Sequence, residues 1–175
     1  TNRKSTRDGK KLETKEMKTK PLTFLLALTF LFLFSGSVFA DDLKDAMAAH
    51  KSKDYKEAVR LYRLSAKQGN AEAQYNLGLM YEKGQGVPKD FKEAFKWSKL
   101  AADQGNASTQ NNLSYMYYKG QGVPKDYVLA HMWWNIASSN GHNGDIKFRE
   151  IIEKRMSPSQ IEKAQEMARN WKPKK

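Results

Sequence analysis

From Asp54 to Lys125, apolar residues recur at steps of three and four, the spacing that places side chains on one face of a helix. Phe91, Ala94, Phe95, Trp97, Ser98, Ala101 and Ala102 trace one such face. Asp90, a residue type that caps helix N-termini, stands just before it, with Glu93 at capping-box distance. Gly105-Asn106 predicts the end of that helix, because both residues accept the left-handed conformation found past a helix end. A second helix is predicted from Ala107 to Tyr118, with Leu113, Met116 and Tyr117 inward. Gly120-Gln121-Gly122-Val123-Pro124 then breaks the chain: two glycines allow a tight turn and proline cannot continue a helix.

The same pattern occurs twice. Residues 54–89 and 90–125 align without a gap and are identical at 22 of 36 positions. A third unit opens in phase at Asp126 and then diverges through residue 156. A fixed period of this length marks a solenoid, in which each helix pair has an apolar face that only its neighbours can bury. The expected fold is therefore an all-α, αα-repeat solenoid. Ala58, Ala66, Ala94, Ala102 and Ala130 recur at equivalent positions and let helices approach closely. Residues 41–53 read as an N-terminal capping helix with Leu43, Ala46 and Met47 inward. Residues 157–175 read as a C-terminal capping helix and basic tail. Ser157, Pro158 and Gln160 supply its N-cap, first helical residue and capping box, with Met156 and Ile161 as a hydrophobic staple. Ile161, Ala164, Gln165 and Ala168 share its inner face.

The string Ala71-x-Ala73-x-Tyr75-x-Leu77-Gly78-x-x-Tyr81-x-x-Gly84-x-Gly86-Val87, running on into Asp90-x-x-x-Ala94-x-x-Trp97-x-x-x-Ala101-Ala102-x-x-Gly105, resembles the Sel-one-like repeat, a tetratricopeptide-related αα repeat. The period also fits that repeat better than the roughly 34 residues of a tetratricopeptide unit. Met156-Ser157-Pro158-x-Gln160-Ile161-x-x-Ala164-Gln165 resembles the C-terminal closure of small bacterial members. The resemblance implies a right-handed superhelix of helix pairs that serves as a scaffold or adaptor for other proteins. Ser114, Thr109 and Asn111 depart from the repeat's Gly, Ala and Tyr, and the third unit lacks the Gly-x-Gly-Val turn.

The chain's start adds a location. Thr1 to Glu16 is polar and aperiodic and reads as upstream sequence. From Met17 a basic stretch (Lys18, Lys20), an apolar run from Leu22 to Phe34 and Val38-Phe39-Ala40 follow the three-part pattern of a secretory signal, giving residues 17–40 as a signal peptide. The rival reading is an uncleaved anchor, since 21–40 is uncharged and just long enough to span a bilayer. Cleavage predicts a periplasmic or secreted product, with the membrane touched only through an uncleaved signal. The whole chain has 31 Lys and Arg against 19 Asp and Glu; without residues 1–40 the counts are 23 and 16, or +7. The chain has no cysteine, so no disulfide framework or thiolate metal site is available.

Candidate chemistry is sparse. Gly84-Gln85-Gly86 and Gly120-Gln121-Gly122 lack the strand, third glycine and Gly-Lys-Ser/Thr ending of phosphate loops and read as inter-repeat turns. His50, His131 and His142 stand apart from one another and read as structural, so no metal and no cofactor is expected. No nucleophile, acid and base stand out, which points away from an enzyme. One stripe is more informative. Residues at i, i+4, i+7 and i+11 share a helical stripe. In unit one these are Lys56, Arg60, Arg63 and Lys67; in unit two, Lys92, Lys96, Lys99 and Asp103; in unit three, Val128, Met132, Asn135 and Ser139. Stacked first helices would join them into a basic strip along a concave face, next to an apolar stripe that is either a pocket or the seat of the last helix. Tyr62, Trp97, Trp133 and Trp134 read as mostly core by periodicity; a surface position for Trp134 is the alternative, since Ser98 suggests that its position tolerates a polar residue. The binding set is Lys56, Arg60, Arg63, Lys67, Lys92, Lys96, Lys99, Met132 and Trp134, and the expected function is an exported, non-catalytic scaffold for other proteins, some with acidic segments. A cell-envelope enzyme or glycan-binding factor using the concave groove is the alternative. Nucleic acid is not expected, because export and the lack of interleaved exposed aromatics argue against it.

Overall fold

The computed structural model describes residues 42–142 and 146–174. Among these are eight α-helices and no strand. The signal and upstream segments predicted for residues 1–40 lie outside the described residues. No helix among the described residues is long and apolar enough to cross a membrane. Helix α1 covers residues 42–51. It is followed by α2 (Tyr55–Lys67), α3 (Ala71–Lys83), α4 (Phe91–Asp103), α5 (Ala107–Lys119), α6 (Tyr127–Ser139), α7 (Ile146–Glu153) and α8 (Pro158–Asn170). Each helix packs on the next along the chain through α7, and α8 folds back onto α6. This is the all-α stack of helix pairs with a closing helix that the period predicts.

The repeat works because its local devices recur every 36 residues. Asp54, Asp90 and Asp126 cap α2, α4 and α6, each accepting backbone N–H groups from the first turn. The capping box expected at Asp90 is only half formed. The Asp90 N–H already donates to Tyr81 O at 3.0 Å, so Glu93 has no donor to reach back to. Its carboxylate instead accepts from Trp97 Nε1 at 3.0 Å and Lys96 Nζ at 3.1 Å. Asn106 does not end a helix, as the sequence suggested. Gly105 alone takes the left-handed turn, at φ +97°, and Asn106 caps α5 by accepting from Thr109 N. Asn70 does the same for α3.

Gly86 and Gly122 are the tightest points of the stack. A Cβ on Gly86 would lie 2.2 Å from Tyr55 O, and one on Gly122 would lie 1.9 Å from Phe91 O. The Gly-x-Gly-Val turn therefore rests directly on the backbone that opens the first helix of its own unit.

A buried amide ladder ties units together. Gln74 Nε2 donates to Ala66 O and Gln110 Nε2 to Ala102 O, both at 3.1 Å. Gln104 Nε2 then donates to Gln74 Oε1, and Asn140 Nδ2 to Gln110 Oε1, both at 2.8 Å. Each glutamine thus satisfies a helix-end carbonyl of its own unit and a side chain of the next.

The ends differ from expectation in detail. In α1, Ala46 is buried but Met47 is 46% exposed. The helix faces α2 along Ala46 and Ala49, with His50 edge-on to Tyr55 and Tyr62, which turns Met47 outward. At the other end the capping box of α8 is complete: Gln160 N donates to Ser157 Oγ at 3.3 Å and Ser157 N to Gln160 Oε1 at 2.8 Å. Ala164 is buried while Gln165 is exposed, so the inner face runs along Ile161, Ala164 and Ala168. Beyond α8 the chain runs back along the stack. Trp171 meets Trp133 edge-on at 5.8 Å, Pro173 lies beside Gly105, and Lys174 Nζ pairs with Asp103 Oδ2 at 2.8 Å.

Candidate interaction surface

The first helices α2, α4 and α6 carry the stripe identified in the sequence. Lys56, Arg60, Lys67, Lys92 and Lys96 are exposed, and Arg63 and Lys99 are partly buried. Several of these cations are already engaged. Arg60 forms a two-point ion pair with Glu57, which holds the Glu57 carboxyl below its ordinary range by that hydrogen bond. Lys96 pairs with Glu93. Arg63 donates to the Tyr81 hydroxyl at 2.8 Å. Lys99 pairs with Asp103 and lies over the Trp133 ring. Lys56, Lys67 and Lys92 have no ion pair among the described residues, so they keep an undiluted charge for a partner.

Met132 and Trp134, placed in the binding set from sequence, are each only 6% exposed. They belong to the core that α6 forms with α8. The apolar third stripe is thus the seat of the last helix. Trp134 entered the binding set through the alternative that Ser98, at its position in unit two, suggested. Ser98 is itself buried: α3 approaches so closely that a Cβ on Gly78 would lie 2.9 Å from Ser98 Oγ. A small residue there reports crowding, not exposure.

Two residues of this surface were missed. Leu64 and Leu100, one repeat apart, are 40% and 42% exposed on the same side of α2 and α4 as the cations. They are identical in both units, and the three-four spacing leaves them outside the inward face, which was the available signal. The third member, Ile136, is 3% exposed, within the cluster that includes Ala164 of α8. Unit three therefore shows this surface occupied, and units one and two show it open.

His131 is fully buried. Its Nε2 lies 2.9 Å from Glu153 Oε1 and its Nδ1 is 2.9 Å from Asn135 Nδ2, a latch between α6 and α7. Among the described residues no group of three or more His, Cys, Asp or Glu is placed to hold a metal ion.

A stack of αα units with one open, mixed basic and apolar face is a helical-repeat scaffold. The Sel1 repeat model matches residues 50–70, 71–106 and 107–142, and the chain belongs to the Sel1 repeat family. The family's frame pairs α3 with α4 and α5 with α6, the pairs that pack most extensively here. No curated protein matches the chain. By structure the chain is similar to a protective antigen present in uropathogenic Escherichia coli strains that displays an SLR fold. That likeness has a TM-score of 0.71 and 32% identity, over 76% of this chain and 29% of that one. A Sel1 repeat protein from Oxalobacter formigenes is 37% identical over 50% of this chain and 25% of its own, with a TM-score of 0.49. The chain thus spans less than a third of either relative's length.

Proposed function

We propose that this chain is an exported, non-catalytic protein-interaction scaffold that docks an amphipathic, acidic helical segment of a partner on α2 and α4. The observation that carries this reading is the contrast at one repeat position: Leu64 and Leu100 are open, while Ile136 is covered in the core that α8 completes. The packing of α8 on α6 supports a helix with an apolar face as the occupant. Around the two leucines, Lys56, Lys67 and Lys92 favour carboxylates, which tune encounter and specificity. The signal-like pattern of residues 17–40 supports export.

A labelled amphipathic peptide with leucines on one face and glutamates on the other tests the docking. Its anisotropy should rise saturably with added protein, and the affinity should fall with salt, since exposed charges are screened beyond ~8 Å at physiological ionic strength. Leu64→Glu with Leu100→Glu should abolish binding, and reversing Lys56, Lys67 and Lys92 should weaken it. Equal binding by a scrambled peptide, or by both variants, would overturn the assignment. N-terminal sequencing of exported protein should read Asp-Asp-Leu-Lys from residue 41; an intact Met17 start in a membrane fraction would show the anchor instead.

A further inference from the structure

A cleft of about 370 Å³ opens between α6, α7 and α8, bordered by Trp134, Asn135, Ser138, Arg149, Gln165 and Arg169. Its volume falls within the roughly 300–1,000 Å³ typical of small-ligand sites. The two guanidiniums come from different helices; Arg149 has one long ion pair, and Arg169 has none among the described residues. The Arg149 guanidinium carbon sits 5.4 Å from the centre of the Trp134 ring, and its Nε lies 3.6 Å from Glu153 Oε1. That separation leaves the buried Nε without a hydrogen bond. Stacking and the distant carboxylate hold the group in place while its terminal nitrogens stay uncommitted among the described residues. Arg169 is exposed and has neither ion pair nor hydrogen bond among the described residues. Trp134 adds an independent sign: it is almost wholly buried, and its Nε1–H has no partner.

All these unsatisfied groups are donors. The chemistry that satisfies donors alone is an anion, and the planar fork of a guanidinium matches the two oxygens of a carboxylate. Glu153, the carboxylate 3.6 Å from Arg149 Nε, is engaged elsewhere. Glu153 Oε1 accepts from His131 Nε2, and Asn135 Nδ2 donates to His131 Nδ1, which fixes the Nε2–H tautomer and ties Glu153 to α6. We propose that this cleft binds a carboxylate between Arg149 and Arg169, with the buried indole N–H of Trp134 as a neighbouring donor. The site is separate from the docking surface on α2 and α4 and stands whether or not that surface binds a helix.

The test titrates the full-length, ¹⁵N-labelled protein and follows the Trp134 indole and Arg149 Nε signals, assigned from Trp134→Phe and Arg149→Gln spectra. Probes are glutarate, acetyl-Gly-Gly with a free C-terminus, the same peptide as its amide, and sulfate. Saturable shifts are expected with a carboxylate probe and none with the amide. Tighter binding of the peptide acid would identify a chain terminus as the ligand; equal or tighter binding of glutarate would identify a small free acid. Arg149→Gln and Arg169→Gln should each weaken binding about tenfold, as loss of a charged hydrogen-bonding partner implies. Arg149→Lys, which keeps the charge but loses the fork, should also bind more weakly, and Lys163→Gln should bind like the parent. Melting curves confirm that each variant is folded. Absent saturation with both carboxylates, equal shifts with sulfate or the amide, or unchanged affinity in both glutamine variants would overturn the proposal.

Discussion

Helices α2 to α5 and helices α6 to α8 are built from the same opening sequence, yet they hold together differently. In the first region each device occurs twice at the repeat distance: the Asp cap, the Asn cap, the buried glutamine, and the glycine turn that rests on backbone. In the second region the devices are replaced one by one. His142 stands where Asn70 and Asn106 cap the following helix. Trp134 fills the position of Ser98, and a buried His131–Glu153 latch joins α6 to α7. Closing a solenoid requires covering an apolar face that no further repeat will cover, and that calls for chemistry used only once. The arginine-lined cleft and its unpaired donors lie in the second region, and the repeated open surface lies in the first.

The largest expected effect sharpens this contrast at two glycines. Gly122→Ala forces a Cβ to within 1.9 Å of Phe91 O at φ +73°, so the turn must leave its seat. Clash and left-handed strain together should cost about 3 kcal/mol or more. Gly141, at φ +84°, has nothing within 4 Å of an added Cβ. Gly141→Ala should therefore cost only the ~1–2 kcal/mol of the left-handed backbone. Urea melts of both variants measure the gap; equal losses would mean the turn does not bear on the stack.

The amide ladder gives the next effect. Gln74→Ala and Gln110→Ala each remove two hydrogen bonds, one to a carbonyl that keeps a backbone donor and one to an exposed side chain, at about 1–3 kcal/mol together. If the first region is truly repetitive, the two losses should agree within about 0.5 kcal/mol. A clear difference would show that closure reaches back into unit two. Below these comes Ser157→Ala, which removes the acceptor at the N-cap of α8 and should cost about 1 kcal/mol by thermal melting.

How much of this was legible follows the same divide. The helices of the repeat, the Asp90 cap and the inward alanines were read from the period, because a device that occurs twice announces itself; the closing capping box was read from Ser157, Pro158 and Gln160 alone. The errors came from reading exposure off residue type. Ser98 was taken as a sign of tolerance, and that brought Trp134 into the binding set although its periodicity pointed to the core; the small residue reflects the closeness of Gly78. Met132 was assigned to a binding face because the stripe rule cannot see α8 folding back over it. Leu64 and Leu100 went unnoticed because the search followed charge. The paired cations Arg60 and Lys96 looked as free as Lys56, since a stripe of one sign hides carboxylates three residues away. Arg149 and Arg169 meet only through the fold of α7 and α8, which have no counterpart in the repeat, so no spacing rule could bring them together.

The smallest expected effect compares Tyr62 of α2 with Tyr117 of α5, which packs into the core cluster of the closing region. Burial pushes the Tyr62 phenol above its ordinary value of 10.0, with the Glu72 carboxylate adding to it. Tyr117 is raised by burial and then by Asp126 and Asp103. In both, the folded protein favours the neutral phenol. The stability this represents is complete below the unfolded pKa near 10 and is lost as pH rises through it towards the folded pKa, because the unfolded chain releases its protons first. Urea melts between about pH 9 and 11 should therefore show stability falling with pH, and Tyr62→Phe and Tyr117→Phe should each flatten that slope. A parent slope unchanged by both substitutions would assign the alkaline loss to other groups.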